Sequence, residues 1–278
     1  MFTTGKKVEI RIKIMKDVLQ SKTIKEMIRL ASNLYRLGWD ERNGGNISIL
    51  LDEEDKEYIP EESLRKISLA IDASYLKGRY IAVTGTGKYF KNLEYEPEEN
   101  MGIVRIEEDG KTASIVWGFA HEGLPTSEFP THLLNHIVCL KKNPKHHVVI
   151  HTHPTYTIAM SLCMQDEDEI TRTLWKVQTE SIVVFPEGIG YVPWMVCGGK
   201  EIGVATSKKA EEYRAIIWGM HGIFGTGSSI DEAFGLIETI EKAAQIYFIA
   251  QDHITKTITN EELKELAKAF KIDYKKII

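Results

Sequence analysis

Two histidines spaced two residues apart, His151 and His153 in the run HHVVIHTHPT, are the side chains of this sequence best placed for metal chemistry. Val148, Val149 and Ile150 read as a buried strand that Pro154 ends, and alternation along a strand turns residues i and i+2 to one face. Both rings can then reach one ion. Neutral imidazole suits zinc, and a catalytic zinc commonly takes three protein ligands and leaves a position for water or substrate. Paired histidines on a strand also have a plainer reading, solvated or bonded to carbonyls, and a third ligand must come from elsewhere. His221 follows the apolar run AIIWGM and precedes Gly222, the setting of a side chain projected from a strand end into a cleft. It is the best third ligand, although a turn or core histidine would look the same. His121, His132, His136, His146, His147 and His253 fall in helical or loop settings with no matched partner and receive no function.

Glu128 lies in Leu124-Pro125-Thr126-Ser127-Glu128-Phe129-Pro130, a polar opening before a helix predicted to begin near Ser127. A carboxylate there is favoured by the helix dipole, and Ser127 or Thr126 can cap the helix, so a structural role is open. The chemical alternative is a general base acting on a proton made acidic by a neighbouring metal. Spacing alone does not separate the two. Two glycine-bearing loops flank predicted strands: Asn43-Gly44-Gly45-Asn46 enters one, and Thr84-Gly85-Thr86-Gly87-Lys88 leaves another. Such loops can turn main-chain N–H groups toward an anion, with amide, hydroxyl and ammonium donors beside them. Neither is a Walker A loop or a GxGxxG turn, and each alone reads equally well as a tight turn.

The elements that must position these groups follow from periodicity. Met15 to Leu37 carries apolar residues at Ile24, Met27, Ile28, Ala31, Leu34 and Leu37, a helical spacing that Gly38 ends. Strands are expected over 46–51 and 80–83, and 101–106 with 112–117 form a hairpin closed by Asp109-Gly110, so the sheet contains antiparallel pairs. Beyond the histidine strand, Ile158, Ala159 and Leu162 imply a helix, Ser181 to Phe185 a strand, and Ala215 to Trp218 another. Capping boxes at Ser229 with Glu232 and Thr259 with Glu262 open two late helices. The charged stretch 52–77, broken by Pro60, reads as a mobile excursion with a short helix.

No linker, repeat or low-complexity tract divides the 278 residues, which are 43% hydrophobic and 27% charged, so one soluble α/β unit spanning 1–278 is expected. The net charge of −5 gives no footprint for nucleic acid or an anionic membrane, and an anionic substrate must be met by a local site. The N-terminus lacks a leader-like apolar core, and no apolar run approaches the roughly 20 residues needed to span a bilayer, so a cytoplasmic protein is expected. Cys139, Cys163 and Cys197 show no CxxC spacing and read as buried small hydrophobes.

These segments together resemble the class II, zinc-dependent sugar-phosphate aldolases of the aldolase/adducin type. The resemblance runs through GWDERNGGN (38–46), VTGTGKYF (83–90), PTSEFP (125–130), IHTHPT (150–155), TRTLW (171–175), VVFPEGIGYVPWMV (183–196) and HGIFGTGSSIDEAFGLIET (221–239). WDERNGGN, PWM and the late HGIFG point to one branch of that family. The resemblance implies a three-layer α/β/α fold with a largely antiparallel central sheet and one Zn²⁺ per subunit held by His151, His153 and His221. It makes Glu128 the catalytic carboxylate and places Asn43, Gly45, Asn46, Thr86, Gly87, Thr126 and Ser127 around phosphate and the dihydroxyacetone moiety. Glu180 matches a second carboxylate contributed by the neighbouring subunit of a homotetramer. The implied activity is reversible retro-aldol cleavage of a sugar phosphate. Which sugar phosphate an aldolase of this kind would cleave, an epimerase of the same superfamily, and a non-catalytic adducin-like module all stay open at this point. Two features depart from the family pattern: Thr86 stands where Ser is expected, and residues 1–14 form a longer N-terminal extension with a basic-apolar string.

Overall fold

The computed structural model describes residues 16–273; the N-terminal extension lies outside them. The first helix, α1 (Lys22–Arg36), starts later than its apolar spacing allows, because Ser21 caps it by accepting from the Ile24 N–H at 3.3 Å. Val18–Gln20 instead makes a separate 3-10 turn. Ile24, Met27, Ala31 and Leu34 are fully buried along one stripe, as the 3.6-residue period requires, whereas Leu37 is exposed.

Nine strands, β1 (Asn46–Leu50), β2 (Arg65–Ser68), β3 (Tyr80–Thr84), β4 (Met101–Ile106), β5 (Thr112–Gly118), β6 (Val148–Thr152), β7 (Gly190–Val192), β8 (Ala215–Trp218) and β9 (Gly222–Gly227), form a single sheet among the described residues. Their order is β2-β5-β4-β3-β1-β6-β9-β8-β7, and only the β7–β8 pair is parallel. The other helices are α2 (Pro97–Asn100), α3 (Phe129–Lys142), α4 (Thr155–Cys163), α5 (Glu167–Val177), α6 (Thr179–Val184), α7 (Lys200–Ala210), α8 (Ile230–Ala250) and α9 (Asn260–Ala269). None is long and apolar enough to cross a membrane.

Alternation along the central strands divides the core. Ile47, Ile49, Val148 and Ile150 pack with α1, α4, α5, α6, α8 and α9 on one face. Val149, Ile216 and Phe224 pack with Cys139 of α3 and Ile202 of α7 on the other, and Val83, Val104 and Ile115 meet Phe129 and Leu133 of α3 there. The result is helix–sheet–helix layering around a largely antiparallel sheet, as expected.

Several local expectations are corrected. Ser181 to Phe185 is not a strand but the body of α6 with its C-cap: the Phe185 N–H bonds the Ser181 carbonyl at 3.0 Å, and Ser181, Ile182 and Phe185 turn inward on one helical face. Packing there outweighs the strand preference of Ile182-Val183-Val184, and the strand of this region is β7. The 52–77 stretch has its expected short helix, a 3-10 turn at Glu53–Tyr58, but it also carries the edge strand β2 paired to β5, which its charge pattern did not suggest. Only half the capping box at Ser229 closes. Ser229 accepts from the Glu232 N–H, but the Glu232 carboxylate is drawn to the Ser228 N–H at 2.8 Å and to Arg214 at 3.1 Å. At Thr259 both bonds form. Cys139 is buried as expected, whereas Cys163 and Cys197 are exposed.

Candidate metal centre

The register of the central strands builds the site. Across β1, β6 and β9, Asn46 pairs with His151 and His151 with Phe224, so the three side chains lie in a row on the α3 face. The His151 ring stacks on Phe224 at 4.7 Å between centroids, with Trp218 at 4.8 Å, and its Nδ1–H donates to the Ile223 carbonyl at 3.1 Å. His153, one residue past the end of β6, is fixed by Nδ1–H donation to the Glu41 carboxylate at 3.1 Å. His221 sits in the β8–β9 turn beside Met220, whose φ of +58° makes the turn tight. Its ring centroid lies 4.9 Å from that of His151 and 5.1 Å from that of His153, and one nitrogen from each of the three rings falls within 4.8 Å of the others.

The donor chemistry fits a metal ion. A carbonyl and a carboxylate only accept hydrogen bonds, so His151 and His153 must both carry their proton on Nδ1. Both Nε2 atoms are then bare, yet they face each other at 3.3 Å. Burial holds the His151 ring well below the usual imidazole range and that of His221 down to about 4, so no ring proton comes readily to rest between them. A shared cation would satisfy the facing lone pairs, and Nδ1 partners like those of His151 and His153 are the kind of outer contact that orients a metal-binding histidine.

Glu128 occupies the N-cap position of α3 but makes no capping bond with its side chain. Its own N–H is taken by Thr126 Oγ1 at 3.3 Å, while its carboxylate turns to the histidines, with Oε2 accepting from Asn46 Nδ2 at 2.9 Å and standing 3.8 Å from His151 Nε2. The capping role is therefore not the carboxylate's. It is 6% exposed, and burial pushes its carboxyl up to about 7 against the lowering effect of the Asn46 bond. A carboxyl poised there can both take and return a proton near neutrality.

The first glycine-bearing loop packs against the histidines, and the second is tied to the segment that precedes Glu128. Gly45 has φ +72°, and a Cβ on it would overlap Asp40 Oδ1 at 1.7 Å, while one on Gly44 would press the His153 ring at 2.9 Å. The loop can lie this close to the histidines only because neither residue has a side chain. Thr86 and Gly87 are brought beside Thr126 and Ser127 by main-chain ties: Thr86 N–H to the Leu124 carbonyl at 2.9 Å, Thr126 N–H to the Thr84 carbonyl at 2.9 Å, and a bridge between Gly85 and Pro125. Asn43 is exposed on the 43–46 loop. Both ends of the buried Asn46 amide are engaged, by Glu128 and by His132, so its side chain serves the carboxylate. Among the described residues Glu180 stands apart, exposed in the first turn of α6 on the opposite helical layer.

Several groups here escaped the sequence reading. Glu41 orients His153, and the Cys197 thiol lies within 4.8 Å of a carboxylate oxygen of Glu128 and a ring nitrogen of His221. His132, His136 and His146, which looked unpartnered, are hydrogen-bonded to one another through Ser48 and on to Asn46. The signal was present as an i,i+4 pair on α3 facing an i,i+2 pair on β1, but only the docking of α3 on the sheet joins them.

Residues 25–248 match the profile of the family described as Class II Aldolase and Adducin N-terminal domain. The chain is 50% identical over 265 residues to a rhamnulose-1-phosphate aldolase of Listeria monocytogenes serotype 4a (strain HCC23), covering 94% of this chain and 97% of that one. It is 49% identical over 259 residues to the enzyme of that name from Enterococcus faecalis (strain ATCC 700802 / V583), covering 91% and 93%. The crystal structure of a sugar-phosphate aldolase from Thermotoga maritima superposes with a TM-score of 0.71 at 31% identity, covering 83% of this chain and 95% of that one.

Proposed function

Because the chain belongs to the class II aldolase and adducin family, we propose that it cleaves L-rhamnulose 1-phosphate reversibly to dihydroxyacetone phosphate and L-lactaldehyde, a carbon–carbon lyase step of L-rhamnose breakdown in the cytoplasm. The observation that carries this reading is the pair of bare imidazole nitrogens 3.3 Å apart with a buried carboxylate 3.8 Å from one of them. An adducin-like binding module would need neither.

His151, His153 and His221 would hold zinc, one ion per subunit. Bound there, the ion would supply Lewis acidity to stabilise the negative charge that gathers on the dihydroxyacetone half as the C3–C4 bond opens. Glu128 supplies the proton traffic at C3: after cleavage its carboxyl protonates the dihydroxyacetone phosphate carbon, and in the synthetic direction the same oxygen removes that proton. The side chains of Thr86, Thr126 and Ser127, with Asn43 and the main chain of Gly45 and Gly87, bind the phosphate and orient the ketose. Thr86 keeps the hydroxyl of the expected Ser and adds a methyl group that narrows the pocket. Phe224 and Trp218 hold the His151 ring in place and exclude water from its faces. Glu180 reaches the aldehyde end from a neighbouring subunit of a homotetramer and there holds the proton that the departing oxygen exchanges.

The test is a side-by-side assay of zinc-loaded protein on L-rhamnulose 1-phosphate, L-fuculose 1-phosphate and ribulose phosphate, with product stereochemistry determined. The rhamnulose substrate should give the highest kcat/KM. A higher kcat/KM on either of the others would overturn the substrate assignment, and absence of cleavage on all three would overturn the aldolase reading.

A further inference from the structure

Behind Glu128, on the α3 face of the sheet, lies an uninterrupted line of buried polar side chains. Asn46 Nδ2 meets Glu128 Oε2 at 2.9 Å, and Asn46 Oδ1 meets His132 Nε2. His132 Nδ1 lies 2.6 Å from Ser48 Oγ, Ser48 Oγ 2.8 Å from His136 Nε2, and His136 Nδ1 2.9 Å from His146 Nε2. All five residues behind the carboxylate are buried, with Ser48, His132 and His136 fully enclosed.

Hydrogen-bond valence gives this line a direction. The Asn46 NH2 faces the Glu128 carboxylate and donates to it, so the Asn46 carbonyl oxygen, which only accepts, faces His132. His132 must then donate from Nε2, which leaves its Nδ1 to accept from the Ser48 hydroxyl. With its proton so used, Ser48 Oγ must accept from His136 Nε2–H, and His136 Nδ1 must accept from His146 Nε2–H. Every bond donates toward the carboxylate, and reversing any one breaks the next. Burial keeps the three imidazoles neutral, His132 down to about 3, His146 to about 4 and His136 well below its usual range, so each ring has a single N–H to place. Successive bonds of one direction also polarise each other.

We propose that His146, His136, Ser48 and His132 are positioning residues that form a one-way donor chain, locking the Asn46 amide with its NH2 on Glu128 and so holding that carboxylate as a proton acceptor aimed at the substrate. No proton travels the chain, because an amide does not relay one in this setting; the chain sets orientation. Asn46 by itself could present either end of its amide, and its flip would put an oxygen against the carboxylate.

The inference rests on Glu128 exchanging the C3 proton, and the tests keep the two apart. The primary experiment measures C3 hydrogen–deuterium exchange in dihydroxyacetone phosphate, with KM and zinc content, for Ser48→Ala and Ser48→Thr. Ser48→Ala removes the mid-chain hydroxyl without touching the ligand-bearing residues. Its exchange kcat should fall roughly 5- to 10-fold, the scale of one hydrogen bond of net strength, with KM and zinc content unchanged. Ser48→Thr, which restores the hydroxyl, should recover most of the loss. A purely structural role would lower the denaturation midpoint and leave kcat per zinc-loaded site at the parental value, which would overturn the proposal. Nitrogen-15 NMR on the unmodified protein needs no variant. It should find His132, His136 and His146 all in the Nε2–H form, and an Nδ1–H tautomer at His132 would break the chain. Parental exchange in Glu128→Gln would instead remove the base assignment beneath it, whereas loss in Glu128→Gln with parental exchange in Ser48→Ala refutes the chain alone.

Discussion

Replacing His146 by Gln should make the protein less sensitive to acid, and by an amount the burial of that ring determines. In the folded chain the imidazole is 3% exposed and its pKa is lowered from 6.5 to about 4, chiefly by desolvation and secondarily by the charge of His147. A depressed folded pKa means that the unfolded chain binds the proton first as pH falls. The stability tied to His146 is therefore complete above about 6.5 and is lost progressively toward about 4. Between about pH 7.5 and about pH 5.5 the unfolded chain gains about 0.8 proton at this site and the folded chain almost none, a loss of about 1.3 kcal/mol. Gln has no such titration yet keeps an N–H for His136 Nδ1. Urea unfolding of both proteins at one concentration and both pH values yields a double difference, in which zinc release, the other histidines and the baseline effect of the substitution cancel. The variant should lose about 1.3 kcal/mol less than the parent over that interval. Calorimetric unfolding near pH 5.5 in buffers of different ionisation enthalpy should show about one proton fewer taken up. Parallel stability profiles would refute the assignment of His146 as a neutral, buried donor.

His151→Ala or His221→Ala should lower bound zinc and nearly abolish cleavage, and chelation of the parent should inactivate it until Zn²⁺ is restored; full zinc content and activity in either variant would remove the ligand assignment. Glu128→Gln should retain zinc and slow C3 proton exchange by on the order of 10²–10⁴-fold, the usual span for a general base, as read by deuterium incorporation into dihydroxyacetone phosphate. Glu41→Gln weakens the charged partner of His153 Nδ1 and should weaken zinc binding by roughly 10- to 100-fold in a competition titration, with little change in kcat once the site is saturated. Mixing Glu180→Ala with His153→Ala subunits, each inactive alone, should regenerate activity on subunit exchange, and exchanged tetramers that mass analysis detects but that stay inactive would place Glu180 within its own site or in a structural role.

The fold accounts for why the centre can be both rigid and strongly polar. His151 is a strand residue flanked in register by Asn46 and Phe224, so ladder hydrogen bonds on both sides fix its backbone. His153 and His221 come from the ends of neighbouring strands, where the chain turns and side chains can converge without breaking the sheet. Glu128 enters from the start of α3, and the same helix carries His132 and His136 on the face that covers β1. One helix thus delivers the carboxylate and the groups behind it.

Local pattern made much of this legible beforehand. The HxH spacing on an apolar strand, His221 at the end of another, the two glycine-bearing loops and the hairpin at 101–118 depend on periods and turn residues that neighbours along the chain determine, and the structure brings all of them to one place or register. Pattern failed where tertiary contact competes with it. The Ile182-Val183-Val184 run became helical because a helical face could be buried against α8 and α9, and the charged 52–77 stretch carries a strand because the edge of β5 was free to pair. Only the folded chain decided which histidines turn a bare nitrogen toward one another and which join a hydrogen-bonded line: tautomers are set by partners far apart in sequence, such as Ile223 for His151, Glu41 for His153 and Ser48 for His132. A residue's type and spacing say which proton it can give. The acceptor that three-dimensional packing puts beside it says which one it does.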